Sequence, residues 1–165
     1  MTSTLAQGVG RSPGEPVRPL SVLALSPALI VLLLVGLALR LLTAYVVFPG
    51  SGFESDLASY ASWATTMAQF GPAGFYANAG FADYPPAYLY ALWLTGLLAG
   101  SAGEASDLIK LPPILLDVAV AYVIYRLVRG WTWPGLRSEP LALAAAALYL
   151  FNPVSLYDSA LWGQT

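Results

Sequence analysis

The sequence predicts an all-α integral membrane protein, and three observations carry that reading. Hydrophobic residues make up 58% of the 165-residue chain and charged residues only 10%, with a mean hydropathy of +0.66. Soluble domains carry about 25% charge, so this balance belongs to the membrane class. Apolar stretches near the spanning length of about 20 residues recur along the chain, and its basic residues fall preferentially on one side of them. Three transmembrane helices are expected, with interfacial juxtamembrane helices in a large first outer loop. The alternative is four transmembrane helices.

Composition also excludes function classes. The net charge is −2 and no basic patch exists, which argues against a nucleic-acid partner. The chain has no cysteine and no histidine. Disulfides and thiolate chemistry are therefore out, and acid–base or metal chemistry must rest on carboxylates, tyrosine, lysine or arginine.

Residues 1–19 are polar, hold Arg11, Arg18 and several prolines, and read as a disordered cytoplasmic tail. Residues 20–48 form the first span. Ser26-Pro27 has the chemistry of an N-cap followed by proline in the first helical turn, and a helix from Pro27 to Phe48 rises about 33 Å, enough to cross. The apolar run is too long for a signal-peptide core and no small-residue cleavage site follows, so it reads as an uncleaved anchor.

Residues 49–107 make the outer loop. Pro49-Gly50-Ser51-Gly52 ends the first helix, and Ser55 or Asp56 can cap the next. From Leu57 to Phe70 the apolar Leu57, Tyr60, Met67 and, on the flank, Trp63 oppose Ser59, Ser62, Thr66 and Gln69. That spacing predicts an amphipathic helix lying in the membrane interface, stopped by Gly71-Pro72. An aromatic loop with Phe75, Tyr76, Phe81 and Tyr84 follows. Residues 85–100 are apolar and suit either a short span or, given Tyr88, Tyr90 and Trp93, an interfacial helix. Residues 108–128 form a second span containing Asp117. Residues 141–156 form a third, short and alanine-rich, with Asn152-Pro153 near its end, and residues 157–165 open a second outer loop. Gln164-Thr165 follows with no polar tail, and a truncated or partial protein is the expectation.

Charge bias separates the two topologies. If residues 85–100 do not cross, Arg11, Arg18, Arg126, Arg129 and Arg137 all lie on the cytoplasmic side with Glu15 and Glu139. The outer side then holds Glu54, Asp56, Asp83, Glu104, Asp107 and Asp158, with Lys110 as its only base. If the segment crosses, Arg126, Arg129 and Arg137 move outside, against the positive-inside rule. The three-span arrangement is favoured, with the N-terminus cytoplasmic.

Several constellations can carry chemistry. In Glu54-x-Asp56, one acid can act as general base on an acceptor hydroxyl, or both can hold a divalent cation through oxygen ligands; equally, Asp56 can simply cap the following helix. In Asp83-Tyr84-Pro85-Pro86 the prolines stiffen the turn that aims the carboxylate, or serve only as an ordinary helix entry. The aromatic loop offers sugar-stacking faces, although aromatic residues gather at any membrane interface. Asn152-Pro153, Asp158 and Trp162-Gly163-Gln164 mark a polar, aromatic helix end. Arg40 and Asp117 differ in kind, for each sits inside a span, about 12 Å from its outer end. A structural pair between the two helices is the favoured reading, and a lipid phosphate is the other partner open to Arg40.

In order, these features resemble the amino-terminal part of GT-C superfamily membrane glycosyltransferases. They are the first span, Glu54-x-Asp56, Tyr60, Trp63-Ala64, Gly71, Phe75-Tyr76, Asp83-Tyr84-Pro85-Pro86, Phe151-Asn152-Pro153 and Ser159-Ala160-Leu161-Trp162-Gly163-Gln164. Within the superfamily the chain looks most like bacterial relatives of GPI mannosyltransferase II, over about residues 30–165. The resemblance implies a polyprenyl-phosphate-linked sugar donor, mannose or another hexose, used with inversion at the outer face of the plasma membrane. The acceptor would be a glycan, lipid or protein. By carry-over, Asp56 is the catalytic carboxylate and Glu54 completes the motif. Asp83, Tyr84, Asp158, Trp162 and Gln164 are expected on the substrate, and a divalent cation, if used, on Glu54 and Asp56. Such proteins normally continue past Gln164 with an aspartate, and with further spans, that this sequence does not contain. The competing class is a non-catalytic membrane subunit or a transporter-like component, whose polar groups are expected near the bilayer midplane in broken helices.

Overall fold

The computed structural model describes residues 25–131 and 138–162. The tail at 1–19, the first residues of the expected span at 20–48, Arg137, Gly163 and Gln164 lie outside the described residues. Every regular element among the described residues is helical.

Helix α1 (Pro27–Leu42) starts where local chemistry dictates. The Ser26 hydroxyl accepts the Leu29 N–H at 3.3 Å, and Pro27 occupies the first turn, where its missing N–H costs nothing. The helix continues through a wider π-helical turn, Thr43–Val47. The whole segment Pro27–Val47 (21 residues) is long and apolar enough to cross a membrane, as is Ala102–Gly130 (29 residues). The latter comprises α4 (Ala102–Leu108) and α5 (Leu111–Gly130). Val31, Leu34 and Val35 on α1, Val46 on the turn that prolongs it, and Leu115, Leu116, Val123 and Leu127 on α5 are exposed. Apolar side chains turned outward in this way are compatible with a lipid surround.

Helix α2 corrects the sequence reading in two places. It spans Glu54–Asn78, with Phe53 at the N-cap position and no side-chain cap, so neither Ser55 nor Asp56 caps it. The helix does break at Gly71-Pro72, as expected, but a second helical stretch resumes at once and runs to Asn78, where an aromatic loop is expected. Gly71 takes φ 67°, ψ 175°, a conformation open to glycine because it has no Cβ. Pro72 then sits in the first turn of the resumed helix, where a proline is tolerated. The breaker pair thus makes a kink, and Phe75 and Tyr76 are helical, leaving Phe81 and Tyr84 in the loop.

Helix α3 (Pro86–Leu98) has 13 residues. At about 1.5 Å each it rises roughly 20 Å, short of the ~30 Å hydrocarbon core. It lies against α2 so closely that a Cβ on Gly96 would stand 2.1 Å from the Ala64 carbonyl oxygen. Tyr60, Trp63, Ala64, Met67 and Phe75 of α2 bury against Tyr88, Leu89 and Leu92 of α3 and Ala105 of α4.

The third apolar segment is broken. Helix α6 (Ser138–Leu150) and α7 (Pro153–Leu156), prolonged by a π-helical turn Tyr157–Trp162, meet at a bend of 49°. Counted as one span they would be a third. Leu29 of α1, Ala121 and Tyr125 of α5, and Ala142, Ala146 and Leu150 of α6 form a second core. A smaller contact of Ala44, Ile114 and Ala160 joins the ends of these segments.

Candidate functional site

Two polar centres stand out against this apolar background. The first is a cleft of about 300 Å³ lined by Asp56, Ser59, Tyr60, Trp63, Phe81, Asp83 and Tyr84. Helix α2 delivers Asp56, Ser59, Tyr60 and Trp63 from successive turns of one face, at the three- and four-residue spacing that aligns side chains on a helix. The 81–84 loop closes the other wall. Its position is fixed by the Trp63 indole, whose Nε1–H donates to the Phe81 carbonyl at 2.8 Å, and by the Tyr60 and Tyr84 hydroxyls, 2.7 Å apart. Tyr60, Trp63, Tyr84 and Tyr88 pack ring on ring, with centroids 5.3–5.7 Å apart. Burial, and after it the neighbouring Tyr84, pushes the Tyr88 hydroxyl well above the ordinary tyrosine range, so that ring stays neutral.

Asp56 is held at the cleft edge from a distant part of the chain. Trp162, on the turn after α7, donates its indole Nε1–H to Asp56 Oδ2 at 2.9 Å, and the Ser55 hydroxyl lies 3.4 Å from Oδ1. Trp162 also lines a second hollow of about 220 Å³ with Phe48, Ser51, Gly52, Phe53, Tyr157 and Leu161.

The expected site residues therefore separate. Asp56, Asp83 and Tyr84 share one cleft, and Trp162 touches Asp56. Glu54 is exposed and lines neither hollow. The reason is helical geometry: residues two apart on a helix project about 200° apart, so Glu54 faces away when Asp56 faces in. Asp158 lies on the turn that carries Trp162 and lines neither hollow. Gln164 is outside the described residues. Among the described residues no group of three or more Asp, Glu, His or Cys side chains comes together to hold a metal.

The second centre surrounds Arg40, fully buried in α1. Its Nε donates to Asp117 Oδ2 at 2.9 Å, Nη1 to the Leu150 carbonyl at 2.8 Å and Nη2 to the Ser155 hydroxyl at 3.1 Å. The Tyr149 hydroxyl donates to the other Asp117 oxygen at 2.6 Å. The helix break explains why these partners are there. Pro153 has no N–H for the Tyr149 carbonyl, which accepts instead from the Ser155 hydroxyl at 2.9 Å. Val154 N–H turns to the Asn152 side chain at 2.8 Å, and Arg40 takes the Leu150 carbonyl it leaves. Charge pairing and backbone capping are thus met by one guanidinium, whose planar fork suits several acceptors at once.

Tyr149 carries no sequence signal that singles it out, and Ser155 is not among the expected site residues. The sequence sets Ser59 on the polar face opposite Tyr60 and Trp63, whereas it lines the cleft with them, as its helical spacing from Asp56 and Trp63 allows. Ser155, two residues after Pro153, is a hydroxyl where a broken helix leaves carbonyls open.

No family model, no curated protein and no solved structure matches this chain.

Proposed function

We propose that this chain is the amino-terminal part of a GT-C-type membrane glycosyltransferase, a hexosyltransferase that uses a polyprenyl-phosphate-linked sugar. In this reading it is a multi-pass plasma-membrane protein with a cytoplasmic N-terminus, and α2 to α4 lie at the outer face. The α6–α7 pair counts as the third span. The observation that carries the reading is the cleft in which Asp56 and Asp83 meet Tyr60, Trp63, Phe81 and Tyr84. Carboxylates that accept from sugar hydroxyls, beside aromatic faces that cover apolar sugar faces, are the chemistry of carbohydrate recognition.

In the proposed reaction an acceptor hydroxyl oxygen attacks the anomeric carbon and its proton passes to Asp56. The bond from that carbon to the phosphate breaks, and polyprenyl phosphate leaves with the bonding pair. A positioned general base contributes about 10²–10⁴-fold. Trp162 orients Asp56 by occupying Oδ2. Asp83 and Tyr84 bind the sugar, while Asp158 and Gln164 are assigned to the substrate by the family resemblance alone. A divalent cation, if the reaction uses one, would take Asp56 and further oxygens from substrate.

The test is transfer from a polyprenyl-phosphate hexose in liposomes carrying the protein with its native continuation. Asp56→Asn keeps the side chain's size and removes its basicity, and should lower transfer about a hundredfold or more with expression unchanged. Near-normal turnover would sink the assignment.

A transporter-like component is the second reading, favoured by the broken α6–α7 pair around buried Arg40. Against it, no buried side-chain nitrogen or oxygen among the described residues lacks a hydrogen-bond partner, so that centre offers no vacant ligand position.

A further inference from the structure

The geometry points to Arg40 as the positioning residue of the cleft carboxylate, acting through the broken α6–α7 helix on the Trp162–Asp56 contact. The inference rests on the proposed role of Asp56 for its functional meaning, but the linkage is structural. Arg40 and Asp56 lie in different elements; polar contacts run from Arg40 to Ser159, and the backbone of the Tyr157–Trp162 turn carries the link from there to Trp162 and its contact with Asp56. Arg40 Nη1 holds the Leu150 carbonyl at the end of α6, and Nη2 holds the Ser155 hydroxyl at the start of α7. One side chain therefore grips both sides of the bend. Ser155 in turn donates to the Tyr149 carbonyl at 2.9 Å, and its own carbonyl accepts the Ser159 hydroxyl at 2.9 Å. Ser159 stands one helical turn before Trp162, whose indole N–H donates to Asp56 Oδ2.

The physical argument is that a proline-broken helix has no backbone ladder of its own to set the angle between its halves. Here the angle is set by side chains on the freed groups, and Arg40 is the one side chain from outside the segment that contacts the residues on both sides of the bend, Leu150 and Ser155, among the contacts described. Asp117 and Tyr149 fix the guanidinium, so that its fork is preset. Losing Arg40 leaves the Leu150 carbonyl open and frees the bend. The indole at the far end of α7 then loses its fixed approach to Asp56.

The test is ¹⁹F NMR of the full chain labelled with 5-fluorotryptophan in lipid nanodiscs. The five tryptophans give five resonances, and Trp162 is the one lost in Trp162→Phe. Asp56→Asn supplies the position of that resonance when the charged acceptor is gone. Arg40→Gln should move the Trp162 resonance towards that position or split it, with the Trp93 and Trp131 resonances unmoved. Ser155→Ala should move it in the same direction by less. An unmoved Trp162 resonance in a folded Arg40→Gln protein overturns the inference, and so does movement of all five together. If Arg40→Gln does not fold, Ser155→Ala decides alone. Because this readout needs no sugar transfer, its failure is separable from failure of the glycosyltransferase reading.

Discussion

The hydroxyls of Tyr60 and Tyr84 lie 2.7 Å apart, one on the α2 face and the other on the loop residue next to Asp83. This contact fixes the loop wall of the cleft to the helix wall, and with it the direction in which Asp83 faces. A neutral hydrogen bond of this kind contributes about 0.5–1.5 kcal/mol net. Tyr60→Phe and Tyr84→Phe should each lower thermal stability in detergent by about that amount. The double variant should lose less than the sum, since the second change removes nothing further. Additive losses would show that the hydroxyls act separately.

Arg40 and Asp117 should behave as a coupled pair with unequal halves. Removing one partner of a buried pair costs about 3–5 kcal/mol, because the other charge is stranded. Arg40→Ala should be the worse single change, since it also leaves the Leu150 carbonyl uncapped. The double variant should regain part of the loss, read as membrane yield or melting temperature. Strict additivity would show that the two charges do not stabilise each other.

Gly96→Ala should destabilise the α2–α3 contact. The added methyl would meet the Ala64 carbonyl at 2.1 Å, a backbone atom that cannot swing aside. Overpacking of this kind costs about 1–3 kcal/mol. Gly130→Ala is the control, since a methyl there meets nothing within 4 Å. Equal melting temperatures for the two variants would count against so close an approach.

Topology can be read directly, because the chain has no cysteine of its own. Single variants Ser51→Cys, Ser101→Cys and Ser138→Cys should divide on treating intact cells with an impermeant thiol reagent. The first two should label and the third should not. Labelling at 138 but not at 101 would mean that α3 crosses, as in the four-span arrangement.

Local chemistry made some of this architecture legible. Ser26-Pro27 sets the start of α1 through groups three residues apart, and Asn152-Pro153 marks a boundary because proline removes its own N–H. Depth alone put Arg40 and Asp117 at one level, and their side chains meet at 2.9 Å. Gly71-Pro72 breaks α2 as its chemistry predicts, but the chain resumes as helix where an aromatic loop is expected, because Phe75 packs into the core that α2 shares with α3. The tie between Trp162 and Asp56 spans 106 residues, and no local signal encodes it. Glu54 is the instructive case. An acid-x-acid spacing suggests a joint site only if the segment is extended, and once α2 begins at Glu54 the helix turns the two acids apart.

The sequence separation inside the Arg40 centre gives the protein a schedule. Asp117 follows Arg40 by 77 residues, and the Leu150 carbonyl follows it by 110. At a synthesis rate of about 5–20 residues per second, the first span of the proposed topology waits roughly 4–15 seconds for its counter-charge. Over that interval an arginine inside lipid costs about 2.5–3.5 kcal/mol on the insertion scale. The nascent α1 therefore gains by lingering beside the insertion machinery, or by letting Arg40 reach for the headgroups, until α5 arrives. Biogenesis of this chain is a matter of timing as well as of hydrophobicity.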